Sequence, residues 1–195
     1  MHEELSDERL MLAYRDGDAR AFESLYRRYR GSLHRYLAHQ CGSQAFAEEL
    51  YQEVWIKVVN ARAEYEPLAK FSTWIFRIAH HRLIDHYREN APEIATRYEK
   101  ANSGNDADGE DIIGNQAAPL DQTPQVLHER RATAQRIEQA LAELPAPQRE
   151  AFLLAEEGGL TLEEIAAATA SSRETSKSRL RYALGKLRHS LQDLL

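Results

Sequence analysis

The chain has 195 residues, with 25 Lys+Arg against 31 Asp+Glu and a formal net charge of −6. Its hydrophobic content of 43% and charged content of 29% are those of a globular chain long enough for one or two domains, not of a disordered one. The single cysteine, Cys41, excludes an intramolecular disulfide framework, and apolar runs such as 151–155 are too short to span a bilayer. The acidic first residues lack the basic-then-apolar pattern of a secretion signal, so a cytoplasmic chain without membrane insertion is expected.

The charge is unevenly placed. Residues 1–89 hold 14 acidic and 13 basic side chains, residues 90–128 hold 7 and 2, and residues 129–195 hold 10 of each. The acidic middle also carries Pro92, Gly104, Gly109, Gly114, Pro119 and Pro124 and has no sustained apolar period. It reads as a flexible, solvated linker, 91–128, between two helical domains at 1–90 and 129–195.

In the first domain, Asp18 is placed to cap a helix with Phe22, Leu25, Tyr26, Tyr29, Leu33, Tyr36 and Leu37 on one stripe. Gly42-Ser43 interrupts it, and Phe46, Leu50, Val54 and Val58 mark a second helix with Ser43 as candidate cap. Beside that stripe, Glu49, Gln52, Glu53 and Ile56 make acceptors around one apolar residue, a patch suited to a basic partner helix or simply to solvent. After Pro67, Ser72 or Thr73 is a candidate cap for a third helix reaching about Arg88. On it Arg77, His81, Ile84 and Arg88 recur beside Trp74, a combination that suits separated strands, rings stacking on bases and cations tracking phosphates. Trp74 alone is equally well read as core. No stretch alternates with period two, so the fold class expected is all-α.

In the second domain, Ile137, Ala140, Leu141 and Leu144 mark a helix ending before Pro145. A helix with Phe152, Leu153 and Leu154 then runs to Gly158-Gly159. Thr161 and Glu164 have the spacing of a capping box at the head of a short helix. The polar turn 169–172 separates it from a long final helix, giving the outline of a helix-turn-helix unit. Leu180, Ala183, Leu184, Leu187 and Leu191 share one face, while Lys177, Ser178, Arg181 and Arg188 share another. Residues 171–189 hold six basic side chains against the single Glu174, as a helix in the major groove requires.

These segments carry a family resemblance. Leu144-Pro145, the run 148–154, Gly159-Leu160-Thr161, Glu164-Ile165-Ala166, the run 175–180 and Lys186-Leu187-Arg188 resemble region 4 of bacterial RNA polymerase sigma factors of the extracytoplasmic-function (ECF) group. Asp16-Gly17-Asp18, the run 22–29, the run 47–55 and the run 71–85 resemble region 2. The order of regions is the family's. The turn carries Ala170 and Ser171 where a Gly and a hydrophobic residue are common, Ser176 stands in place of a frequent Val, and His81 in place of a frequent Asn.

The resemblance implies a promoter-specificity subunit without catalytic activity. Its partners would be core RNA polymerase (the β′ clamp coiled coil and the β flap), promoter DNA and an anti-sigma factor. Glu49, Gln52, Glu53 and Ile56 would dock on the clamp. Lys70, Phe71, Trp74, Arg77, His80, His81 and Arg88 would read and melt the minus-ten element. Ser172, Arg173, Thr175, Lys177, Ser178, Arg181 and Arg188 would read the minus-thirty-five element. His81 could make its contact more cationic at mildly acid pH. No cofactor or metal is expected, since His80, His81 and His86 do not share a helix face and no second Cys exists. Read from the residues alone, a helix-turn-helix repressor acting as a dimer and a helical adaptor remain alternatives.

Overall fold

The computed structural model of the chain describes residues 5–102 and 124–192, and every regular element among them is helical. Ser6 opens α1 (Asp7–Arg15) by accepting a hydrogen bond from the Arg9 amide, and Asp18 opens α2 (Ala19–Gln40) by accepting from Arg20. Both side chains satisfy amides that a helix start leaves unpaired. α3 (Gln44–Asn60) follows Ser43, whose side chain makes no capping bond. A 3-10 turn, Ala61–Glu64, leads toward α4 (Phe71–Asn90).

The start of α4 departs from the sequence expectation. Neither Ser72 nor Thr73 caps it; the helix already begins at Phe71, and Lys70 at the cap position makes no side-chain bond to it. The acceptor comes instead from α1, a helix ahead of the first one expected, where a Glu8 carboxylate oxygen lies 2.9 Å from the Phe71 amide. Burial pushes the Glu8 carboxyl up, but the Phe71 amide and further hydrogen bonds outweigh it and hold the group below its ordinary value. A carboxylate at a helix start also meets the favourable end of the dipole.

The second departure concerns the linker. Residues 92–102, counted with it by composition, form α5 (Pro92–Asn102), whose Ala95 and Tyr98 are buried against the core. The acidic residues 106–121 lie outside the described residues.

The C-terminal half comprises α6 (Pro124–Ala142), α7 (Ala146–Glu156), α8 (Leu162–Thr169) and α9 (Arg173–Ser190). The capping box at α8 forms as expected: the Thr161 hydroxyl accepts from the Glu164 amide at 3.3 Å, and a Glu164 oxygen accepts from the Thr161 amide at 2.8 Å. Two expected core residues stay largely outside, Ile137 at 41% and Leu184 at 43% exposure, while Ala183 and Leu187 are buried.

The two halves share an apolar core. Leu25, Leu33, Phe71, Ile75, Phe76 and Leu83 pack continuously with Leu153, Leu154, Leu160 and Ile165 from α7 and α8. A smaller cluster joins Ala140, Leu141 and Leu144 to Ala183 and Leu187, and Phe152 touches both clusters. Gly158 sits in the seam, where an added Cβ would come within 3.3 Å of Phe76 and 2.6 Å of the Leu154 carbonyl oxygen.

Between α8 and α9 the chain turns through Ala170, which adopts φ 51°, ψ 37°. That left-handed conformation costs a side-chain-bearing residue about 1–2 kcal/mol. Ala170→Gly removes the strain but frees the unfolded chain, which returns about 0.4–1 kcal/mol. The expected net gain is about 0–1.6 kcal/mol, read as a rise of up to about 6 °C in melting temperature. A fall in melting temperature would contradict this account of the turn.

Candidate nucleic-acid interface

Along α4 the candidate residues divide by depth. Arg77, His81 and Arg88 are exposed and Trp74 is half-buried. Phe71 is inside the core, and His80 is buried at 5% exposure. The His80 Nδ1 lies 2.7 Å from a Glu150 carboxylate oxygen of α7. Lys70 is exposed, with its Nζ 2.9 Å from a Glu164 oxygen of α8. Arg88 lies 3.6 Å from Asp85. Thus Arg77, His81 and Arg88 share a solvent face with the edge of Trp74, while Phe71 and His80 point inward.

Trp74 stands beside a cavity of about 390 Å³ lined by Tyr65, Leu68, Thr73, Arg77 and Ala167, among others. Its ring is 5.1 Å from Tyr65 and 5.6 Å from Phe71. The buried hydroxyls of Tyr65 and Thr73 have no hydrogen-bond partner among the described residues. Burial, with the charges of Glu8 and Asp7, pushes the Tyr65 phenol up to about 12, so it remains a neutral donor. Unpaired buried hydroxyls cost free energy unless a ligand or water completes them. Trp74, Arg77, Tyr65 and Thr73 line one opening, an arrangement that can hold a planar polar ring. Sequence reasoning did not single out Tyr65 and took Thr73 only as a candidate helix cap. The only signal was an aromatic residue just before Pro67.

His81 is held below its ordinary value of 6.5, first by desolvation and then by the neighbouring His80 and Arg77. The expected gain of positive charge at mildly acid pH therefore shifts to lower pH.

On α9, Ser172 accepts from the Thr175 amide at 3.0 Å and its hydroxyl lies 2.8 Å from that of Thr175. Lys177, Arg181 and Arg188 are exposed and Ser178 is half-buried. Arg181 stacks over the Tyr182 ring at 5.0 Å, and Arg173 pairs with Glu163 of α8. Arg179, one of the six basic side chains counted above, is buried at 4% exposure and so does not belong to the solvent face. Ser171 and Ser176, both unusual for the resemblance, are partners: their hydroxyls lie 3.0 Å apart, and Ser171 lies 3.0 Å from Thr169. This hydroxyl chain fixes α9 against the turn.

On α3, Glu49 and Gln52 are exposed and Ile56 is 57% exposed, an apolar side chain amid acceptors. Glu53 is half-buried and bound by Arg82 of α4, with the nearer nitrogens at 2.5 and 2.8 Å. Three of the four candidate docking residues are therefore open, and the fourth braces α3 to α4.

Comparison with known proteins defines the class. Residues 25–93 match the family Sigma-70 region 2, and residues 134–187 match Sigma-70, region 4. The ECF RNA polymerase sigma factor RpoE of Cereibacter sphaeroides is 32% identical over 93% of this chain and 93% of its own length. The RNA polymerase sigma factor CarQ of Myxococcus xanthus is 29% identical over 94% and 97%. In fold, the chain is similar to the sigma factor RpoE solved with the anti-sigma factor NepR from Bartonella quintana (TM-score 0.62, 23% identity, covering 88% of this chain and 96% of that one). It is also similar to CnrH solved with the cytosolic domain of CnrY (TM-score 0.65, 20% identity, 96% and 97%). The chain belongs to the ECF group of RNA polymerase sigma factors. As such it directs promoter-specific initiation of transcription by RNA polymerase. No helix among the described residues is long and apolar enough to cross a membrane.

The placement of His81 yields a pH prediction. An NMR titration of the free chain should give His81 a midpoint below 6.5, and promoter affinity should stay flat from pH 7 to 8. A midpoint at or above the ordinary value would contradict the electrostatic setting described.

Proposed function

We propose that residues 1–90, with α5 packed against them, dock on core polymerase and open the minus-ten element, while residues 129–195 read the minus-thirty-five element, with the acidic stretch between α5 and α6 joining them. The observation that carries this reading is the Trp74 cavity with its two unpartnered hydroxyls and the adjacent Arg77. Melting a duplex costs about 1.4 kcal/mol per base-pair step, and capture of an unstacked base offsets part of it. Trp74 and Arg77 would stack on and neutralise the separated strand, with His81 and Arg88 continuing along its phosphates and Lys70 at the near end. Phe71 would act by bracing Trp74, and His80 would reach DNA only after leaving Glu150.

Glu49, Gln52 and Ile56 would meet the β′ clamp coiled coil, with Glu53 holding the face in place through Arg82, and the C-terminal half would meet the β flap. Lys177 and Arg181 would aim at bases and phosphates in the major groove, flanked by Ser172, Arg173, Thr175, Ser178 and Arg188. The subunit would work in the cytoplasm without catalysing a reaction. That one similar structure holds a sigma factor with an anti-sigma factor supports an anti-sigma partner here as well.

Run-off transcription with purified core polymerase and a promoter library tests the reading. Transcripts should depend on the chain. Ile56→Asp, a change at a largely exposed position, should lower core affinity at least about tenfold, as loss of an interface anchor does. Lys177→Ala with Arg181→Ala should weaken minus-thirty-five recognition at least about tenfold while leaving core binding intact. Sequence-specific duplex binding without core, or a doubly substituted chain that still selects the same promoters, would contradict these assignments.

A further inference from the structure

The region 2 match begins at residue 25 and leaves α1 outside it, and no recognition face assigned above includes an α1 residue. Yet α1 holds the segment that walls the Trp74 cavity. That segment, 61–71, leads from α3 through the 3-10 turn to α4, and among residues 62–70 Tyr65 alone is buried. Three side chains of α1 carry it. The Arg62 guanidinium lies over the Tyr14 ring, 5.3 Å from its centroid. Arg15 Nη1 donates to the Tyr65 carbonyl oxygen at 3.5 Å. Glu8 accepts from the Phe71 amide at 2.9 Å. Glu8 and Arg15 stand two turns apart on one face of α1, about 10 Å along its axis, so that face grips both the middle and the end of the segment. α1 is itself fastened to α2. Asp7 accepts from Arg28 and from the Tyr29 hydroxyl, Arg28 donates to the Leu5 carbonyl oxygen at 2.9 Å, and Leu10 and Met11 are buried.

We infer that α1 is the clamp that sets the walls of the Trp74 cavity, with Glu8 and Arg15 as positioning residues for capture of an unstacked base. This rests on the reading of that cavity as part of the minus-ten site. Residues 66–70 are exposed and have no apolar anchor of their own, so their place is fixed by bonds at the segment's ends rather than by packing. Trp74 rests against two rings, Tyr65 at 5.1 Å and Phe71 at 5.6 Å. Each of those residues is tied to α1 by its backbone, Tyr65 through its carbonyl and Phe71 through its amide. Arg15 and Glu8 therefore hold, from outside the cavity, the two rings that orient Trp74 and the hydroxyl that Tyr65 presents. A displacement of about 1 Å in such a wall is enough to impair a site that works by orientation.

The test uses the full chain carrying Glu8→Ala with Arg15→Ala. In the free chain, hydrogen exchange across residues 65–71 should speed up about tenfold while the amides of α9 keep their rates. Assembled with core polymerase, the variant should bind a forked promoter DNA with a single-stranded minus-ten strand about tenfold more weakly, at unchanged core affinity. Glu8→Gln with Arg15→Lys keeps an acceptor oxygen and a donor, and should recover most of both losses. If the double alanine variant loses helicity, Glu8→Ala alone should show the same changes at smaller amplitude. Adding Trp74→Ala measures the coupling: it should weaken fork binding of the unsubstituted chain strongly and that of the double variant little further. Additive losses, unchanged exchange, unchanged fork affinity, or a fall in core affinity equal to that in fork affinity each overturn the clamp. If Trp74→Ala alone leaves fork binding intact, the reading of the cavity fails, and faster exchange at 65–71 still shows that α1 holds the segment.

Discussion

The arrangement of the two halves depends on one buried carboxylate. Glu150 is 1% exposed, and one of its oxygens receives both the Tyr36 hydroxyl and the His80 ring. Burial pushes its carboxyl up. The charge and hydrogen bond of His80, the Tyr36 hydroxyl and the charge of Arg179 together outweigh this, so the group is held below its ordinary value. An ionised group in such surroundings is tolerated only while its partners stay in place. Removing one partner of a buried pair costs about 3–5 kcal/mol. The Glu150 site therefore specifies how α7 meets α2 and α4 far more sharply than the apolar seam around Phe76 and Leu154 could by itself.

That specification has consequences for the outer surface. With α7 seated on α4, the capping box of α8 brings Glu164 to Lys70, so one carboxylate both closes a helix start and reaches the opposite half. Ala167 follows to the edge of the Trp74 cavity. α9, anchored by Ala183 and Leu187 and by the Ser171–Ser176 pair, keeps its cations toward solvent. Two recognition faces are thus open and one is partly covered. The weak net charge of the chain fits the same logic, because long-range attraction to DNA is low and recognition is left to local faces.

Much of this was legible in the sequence. Apolar period located α2, α3, α6, α7, α8 and α9, the caps expected at α2 and α8 formed, and the region 2 and region 4 motifs identified the class. What stayed hidden was what depends on residues distant in the chain. The cap of α4 comes from Glu8, 63 residues away, so no local pattern announced it. Composition put 92–102 in the linker because two buried side chains, Ala95 and Tyr98, are enough to fold that stretch onto α4 amid polar neighbours. Leu184 shares the apolar arc of α9, yet nothing covers that edge, and it remains 43% exposed. Ser171 and Ser176 looked like two separate departures from the family. The hydroxyl pairing makes them one feature of the turn, each being the other's partner. His80 reads as one of several surface histidines until Glu150, 70 residues on, is placed beside it.

The central claim is that the buried Glu150 site fixes how the C-terminal half sits on the N-terminal half of the free chain. Spin labels at the exposed positions Arg20 of α2 and Lys186 of α9 would report it through pulsed distance measurement. Cys41 should not compete for the label, being buried with its thiol pushed up to about 12 by that burial. The account predicts one narrow distance in the free chain that broadens when Glu150 is changed to Ala. The same narrow distance in the Glu150→Ala chain, or a broad distribution in the unsubstituted chain, would contradict it.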